Sequence, residues 1–422
     1  MLETLRNAWA VKDIRKKILF TIFILIIFRI GSVIPVPFID VAELTAGTTN
    51  EFFSYLSILT GGGLEYGAIF ALSVGPYINA SIIIQLLTVA IPALERLSKE
   101  GEEGQKKLAQ IMRYATVALG GLQGFAYFIY LKSTGCVNKT GGMLWLAGFV
   151  IVLCLTAGST LVMWLGEQID AKGIGNGISM ILFAGIISRA PQAAVVLFNN
   201  LKINPVAVVA IVVIFLVMIA FIVWMTNAER RVPIQYAKRV VGNKMYGGQN
   251  THIPIKVNMA GVMPVIFASS ILMLPTMILG FMGSDATTKT FGKFLALFST
   301  QGVFYAVIYF FLIIGFAYFY ATIQFNPVEM ANNLRKNGGS IPGIRPGKPT
   351  SDFINKILSR ITLMGAFFLS VIAILPIVVG KIGAMNISLG GTSILILVGV
   401  ALDTVQNLES QMMMRHYKGF LD

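Results

Sequence analysis

Charge is what this sequence has least of. Asp, Glu, Lys and Arg make up 12% of the 422 residues while hydrophobic residues make up 56%, about half the roughly 25% charged residues of a soluble domain. So little charge cannot coat a water-facing surface of that size. Cysteine is nearly absent as well. Cys136 lies in a short polar connection and Cys154 in an apolar run, which leaves no disulfide framework and no thiolate metal site. The two histidines, His252 and His416, are far apart and read as loop residues, so a histidine metal cluster is excluded too. A Walker loop, a nucleophile elbow and an HExxH pair are missing. Gly173-Ile-Gly-Asn-Gly177 imitates a phosphate loop but follows an apolar span and lacks the closing lysine. The chain therefore does not read as an enzyme and implies no cofactor, and work on a substrate must draw its energy from a partner.

What fills the sequence instead is apolar runs of roughly 20 residues, each able at about 1.5 Å per residue to cross a hydrocarbon core of about 30 Å. Hydropathy places ten, near 18–36, 68–92, 114–131, 142–166, 174–189, 204–225, 259–281, 302–325, 361–380 and 389–409. The first follows a basic stretch but ends in Val33-Ile34-Pro35-Val36-Pro37 without a small-residue cleavage site, so it reads as a retained span. An even number puts both termini on one side of the membrane. Connections on that side hold 25 Lys and Arg against 6 on the other, with Arg29 and Arg189 within or at the ends of spans. The positive-inside rule makes that side the cytoplasm, and the net charge of +14 is in part this topogenic signal. Five spans on each side of the external segment 191–203 is an odd number, so equivalent helices of the two groups run in opposite senses. The fold expected is an all-α polytopic membrane protein. Its ten transmembrane helices form two inverted five-helix halves, residues 1–190 and 204–422, around a central passage.

Several stretches break membrane rules. In the external connection between Ile39 and Gly67, Phe52, Tyr55, Leu56 and Leu59 share one helical face, stopped by Gly61, Gly62 and Gly63. At about 9 residues this piece covers roughly 14 Å and cannot span. It reads either as an amphipathic helix on the outer leaflet or as a re-entrant segment enclosed by protein. The second span carries Gly75, Pro76, Asn79, Ser81 and Gln85, and the seventh Asn258, Pro264, Ser269 and Ser270, polarity that suits helix contacts or a cavity. Val74 and Ile78 lie one turn apart, as do Ile178 and Leu182, a pattern open to ordinary packing or to a pore lining. Arg29 and Asp403 are the clear ionisable residues within spans, and their cost there implies that each faces protein or snorkels. Two cytoplasmic connections, 227–258 and 326–355, are long. In the first, Val232, Ile234 and Tyr236 alternate with polar residues or proline, as do Ile253, Ile255 and Val257, around a basic Gly-rich tip, which predicts a projecting hairpin. Such basic loops suit docking of a large acidic or RNA-containing partner.

Five motifs carry a resemblance. Phe28-Arg-Ile-Gly-Ser32, Gly75-Pro-Tyr-Ile-Asn-Ala-Ser-Ile-Ile-Ile-Gln85, Met163-Trp-Leu-Gly-Glu-Gln168 with Gly173 to Gly177, Lys256-Val-Asn-Met-Ala-Gly261 and Gly343-Ile-Arg-Pro-Gly347 resemble, in order and from first span to tenth, the SecY/Sec61-alpha family of translocon channel subunits. The resemblance implies a clamshell hinged externally near 190 to 204, an hourglass pore that passes unfolded secretory chains, and sideways release of membrane segments into lipid between spans two and three and spans seven and eight. It implies a constriction of Val74, Ile78, Ile178, Leu182, Ile266 and Ile396, where branched apolar side chains exclude ions by dewetting. It matches residues 54–66, with Tyr55, Leu56, Leu59, Gly61, Gly62 and Gly63, to a plug. Asn79, Gln123 and Ser269 match a lateral gate, and Arg231, Lys238, Arg239, Lys244 and Arg345 match partner-docking positions. Asn243 departs from the basic pair found in some relatives at that turn, leaving Lys244 alone. The implied partners are SecE and SecG subunits, the SecA ATPase, the ribosome through its rRNA, signal-bearing polypeptides and membrane lipids. The implied place is a bacterial plasma membrane. A secondary transporter of inverted-repeat architecture is the alternative reading.

Overall fold

A computed structural model describes residues 9–47, 60–137, 143–201, 205–236, 239–241, 244–246, 250–282, 302–383 and 391–418. Each of the ten expected spans falls on a helix. In the first half these are α1 (Lys12–Gly31), α3 (Gly75–Ala90), α5 (Glu102–Ser133), α6 (Met143–Lys172) and α7 (Gly177–Ile187), with short α2 (Val41–Gly47) and α4 (Pro92–Lys99) between them. The second half has α9 (Pro205–Thr226), α10 (Met263–Met282), α11 (Val303–Gln324), α13 (Lys348–Gly383) and α14 (Gly391–Lys418). The connecting segment 191–203 is largely helical, as α8 (Ala190–Leu201). Among the described residues seven helical stretches are apolar and long enough to cross a membrane, or eight if the pair α3 and α4, bent by 102°, counts as one span. Arg15, Lys16 and Lys17 crowd the first turns of α1 and keep it below that composition.

The second span begins later than hydropathy suggests. Residues 68–74 are turns, and helix starts at Gly75 because Pro76 occupies the first turn, where its missing N–H costs nothing. Within the first half α5 packs on α3 and α6, and α1 on α6 and α7. Within the second, α11 packs on α10 and α13, and α14 on α9 and α13. The halves meet where α7 lies on α14 and where α10 lies on α3 and α5. Small residues permit the closest approaches: a Cβ on Gly177 would overlap the carbonyl of Gly166. One apolar core runs through both halves, from Ile24 and Phe28 of α1 to Ile396 and Leu402 of α14.

The projecting hairpin is present, and it is part of something larger. Strand β1 (Glu229–Tyr236) pairs antiparallel with β4 (Asn250–Lys256), with Val232 opposite Ile253. At the tip β2 (Arg239–Val241) pairs with β3 (Lys244–Tyr246). The second long loop adds α12 (Pro327–Lys336) and β5 (Gly339–Ser340), which pairs with the other edge of β1. Asn326 starts α12 by accepting from the Val328 and Glu329 amides at 3.1 and 3.3 Å. The two loops therefore form one unit. A two-stranded hairpin is marginal alone, and the apolar face of Val232, Ile234 and Ile255 is covered by Leu334, Ile341, Ile354 and Leu358.

Two local expectations need correction. His252 lies in β4 and His416 in α14, not in loops, because period-two and helical patterns run through them. Val257 lies one residue beyond β4, its amide donating to the Ala228 carbonyl at 2.9 Å. Cys136 does lie in the short connection after α5 and is buried there, 1% exposed, because the chain folds back so that the Asp40 amide donates to its carbonyl at 2.9 Å.

Candidate functional site

The six expected constriction residues sit on four elements that the fold draws to the seam between the halves. Val74 precedes α3 and Ile78 is in its first turn, Ile178 and Leu182 are on α7, Ile266 on α10 and Ile396 on α14. Val74, Leu182, Ile266 and Ile396 are 1, 4, 5 and 2% exposed, and Ile178 is buried with them in one apolar cluster that half-buried Ile78 packs against. These side chains are separated by up to 322 residues in the chain (396 minus 74). They come together because α7 and α10 each touch the opposite half.

Residues 60–74 are the most unusual part of the site. They form successive turns, with positive φ at Gly61, Gly62, Gly67 and Ser73. Yet Thr60, Gly61, Gly62, Gly63, Leu64, Ala68 and Ala71 are buried. Irregular backbone at that depth needs protein partners for its polar groups. It has them. Arg29 of α1 donates to the Gly61 carbonyl at 2.5 Å, and Tyr127 of α5 donates to the Leu64 carbonyl at 2.8 Å. The Val36 amide donates to Gly67 and the Ile69 amide to Ile34, at 2.9 and 3.0 Å. Arg189, just beyond α7, closes an ion pair with Glu65 at 2.7 Å, their side chains 15 and 25% exposed. Gly61 lies so close to Gly185 of α7 that a Cβ there would stand 3.0 Å from its Cα. Residues 60–74 are enclosed by protein; the piece from Phe52 to Leu59, for which two readings were left open, lies outside the described residues. Tyr55, Leu56 and Leu59, expected in the same plug, lie outside the described residues. Arg29 faces protein through this contact.

At the second seam α10 lies against α3 and α5. Asn79 on α3 is half-buried, Gln123 on α5 and Ser269 on α10 are buried, and the Ser269 hydroxyl donates to the Ile266 carbonyl of its own helix at 2.8 Å. The sheet unit carries the expected docking residues. Arg231 is exposed on β1 beside Glu229, 2.7 Å away. Arg239 is in β2 and Lys244 in β3, opposite Val241, while Lys238 lies outside the described residues. Arg345 is exposed on a turn shaped by positive φ at Gly343 and Gly347, and its carbonyl accepts from the Thr350 hydroxyl at 2.8 Å. Since β5 pairs with β1, basic residues of both loops belong to one projecting body.

Sequence reading missed the Glu65–Arg189 pair. Its members are 124 residues apart (189 minus 65), and the sole hint was an arginine at the end of a span. Among the described residues no group of His, Cys, Asp or Glu could hold a metal ion.

The family model described as SecY matches residues 68–405. The "Protein translocase subunit SecY" of Mycobacterium bovis is 42% identical over 445 residues, covering all of both chains. A solved structure described as "The structure of a protein conducting channel" superposes with a TM-score of 0.66 at 17% identity, over 94% of this chain and 92% of that one. Another, "Sec61 in the Canine ribosome-channel complex from the endoplasmic reticulum", gives 0.63 at 18% identity over 94 and 92%.

Proposed function

The chain belongs to the SecY family, and from that premise we infer that it is a protein-conducting channel of the bacterial cell membrane, its termini cytoplasmic. Unfolded secretory chains pass between the halves, and apolar segments leave sideways into lipid where α10 meets α3 and α5. Residues 1–190 and 204–422 act as the two halves, and 191–203 as their hinge. The observation that carries this reading is the apolar cluster at the seam, with a buried irregular segment from Thr60 to Val74 against it. Val74, Ile78, Ile178, Leu182, Ile266 and Ile396 would part to admit an extended chain and close without leaving a wetted gap. Residues 54–66 would cover that ring from outside. Asn79, Gln123 and Ser269 would give the lateral seam enough polarity to open for a signal segment.

The chain itself carries no catalytic step. Energy comes from a partner docked on the sheet unit through Arg231, Lys238, Arg239, Lys244 and Arg345, either the SecA ATPase or a translating ribosome. The canine relative is described in a ribosome complex, and rRNA phosphate is the ligand that exposed arginine suits. SecE and SecG subunits are the expected companions in the membrane. The secondary-transporter alternative is set aside by family membership. The decisive experiment stalls a signal-bearing nascent chain and cross-links it to a photoreactive residue at Ile78. Capture supports conduction, and its absence with the stalled complex intact counts against it.

A further inference from the structure

A cavity opens on the seam where α7 meets α14. It encloses about 290 Å³ and is lined by Asn176, Ser179, Asp403, Thr404, Asn407 and Ser410, among others. The lining is polar, in contrast to the apolar cluster beside it. Its place follows from helix periodicity. Ile396, Val400, Asp403, Asn407 and Ser410 recur at i, i+4, i+7, i+11 and i+14, one stripe of α14. Asp403 therefore lies two turns, about 10 Å, from Ile396 along the helix. On α7, Asn176 and Ser179 flank Ile178, and the Asn176 side chain caps the helix by accepting from the Ser179 amide at 3.0 Å. Lys172 precedes this helix start on the side where Lys and Arg gather, so the cavity lies on the cytoplasmic approach to the constriction.

Asp403 is exposed to that cavity, and it takes part in none of the ion pairs among the described residues. The cation that bears on it is Lys256, but that ammonium is held by Gln406 at 2.6 Å, and Gln406 in turn donates to Asn227 at 3.4 Å. Thr404 is likewise engaged, donating to the Val400 carbonyl at 2.6 Å. The cavity thus presents one carboxylate among neutral oxygen and amide groups, with the nearby Lys256 ammonium held by Gln406, on a face of the protein otherwise rich in Lys and Arg.

We infer that this cavity is a binding site for the cationic side chain of a passing polypeptide, the Lys or Arg that precedes its apolar targeting segment. The inference rests on the channel reading above. A basic flank is the feature that precedes an apolar targeting run in exported chains. Asp403 offers it charge, and Asn407 and Ser410 offer acceptors for the remaining ammonium or guanidinium protons. Held there, the flank stays cytoplasmic while the apolar run that follows lies about two turns deeper, beside the ring.

The test uses the full chain with its companion subunits and motor in proteoliposomes. Two preproteins would be compared, one with a Lys-rich and one with a Gln-rich flank. The parent should transport the Lys-rich one about fivefold faster, the scale of one partly solvated ion pair. Asp403→Asn should bring the two rates within about twofold of each other, whereas Asp403→Glu should keep the preference. Asn407→Lys, which puts a cation in the cavity without removing Asp403, should erase it as well. Equal slowing of both preproteins by Asp403→Asn would overturn the proposal and leave Asp403 a positioning residue. Photo-cross-linkers at Asn407 and Ile396 separate the two levels of argument. A stalled chain captured at Ile396 and not at Asn407 overturns this site alone, and capture at neither overturns the channel reading with it.

Discussion

Removing the Glu65 carboxylate should release the enclosed segment 60–67, the end of the proposed plug. The Glu65–Arg189 pair is 2.7 Å long with 25 and 15% of its side chains exposed, so it lies between two regimes. Breaking a fully buried pair by deleting one partner costs about 3 to 5 kcal/mol, and an exposed pair is worth at most about 1. A value near 2 kcal/mol is expected for Glu65→Ala, equivalent to about 30-fold in the equilibrium between a docked and an undocked segment 60–67. The guanidinium is also packed against Gly62, where a Cβ would stand 3.1 Å from Nη2, so the loss falls on this turn and not on the distant core. Planar-bilayer recording of the reconstituted channel should show more frequent openings without substrate. Glu65→Gln, which keeps a hydrogen-bond acceptor, should show a smaller rise. The exchange Glu65→Arg with Arg189→Glu should restore part of the seal, and a double-mutant cycle would isolate the pairwise energy. Parent-like conductance in Glu65→Ala together with a coupling energy near zero would refute the reasoning.

Deleting residues 54–66 should leave insertion intact and raise ion leak, and unchanged conductance would favour a surface helix there instead. Ile396→Asn or Ile78→Asn should hydrate the ring and let weak signal sequences pass, as measured by export of a signal-defective reporter. Misfolding or parent-like gating would make those side chains ordinary packing. Arg345→Glu should abolish motor-driven import into vesicles with expression and conductance unchanged, and Arg345→Lys should impair it because the planar two-pronged contact is lost. Normal import by the Glu variant would shift docking to the loop around Lys238 and Arg239.

The helices were legible because each satisfies its backbone within itself, so hydropathy alone located them. Where that self-sufficiency ends, legibility ends as well. Residues 68–74 are as apolar as the helix that follows, yet they are turns, since Gly67 and Ser73 take positive φ and Pro76 marks the true start. Period-two alternation disclosed β1 and β4, but nothing in either loop announced that Gly339 and Ser340 would extend the sheet. Two residues carry too little pattern, and their place beside β1 is set by α12, whose Leu334 packs on the sheet's apolar face.

Site residues divide along the same physical line. Apolar positions at helical spacing, such as Val74 with Ile78 and Ile178 with Leu182, mark a face, but not what that face meets. The answer depends on α7 reaching α14 and α10 reaching α3 across the seam. Polar contacts across the fold are harder still. Arg29 with Gly61 and Arg189 with Glu65 join residues with no common motif, one of them a backbone carbonyl with no side chain to read. What the sequence does carry is their cost. An ionised group in so apolar a chain must find a partner, so Arg29, Arg189 and Asp403 each posed a question. The first two are answered by the enclosed segment. Among the described residues Asp403 meets an open polar cavity instead, where the nearby Lys256 ammonium is held by Gln406, and that leaves its charge accessible to the cationic flank proposed above.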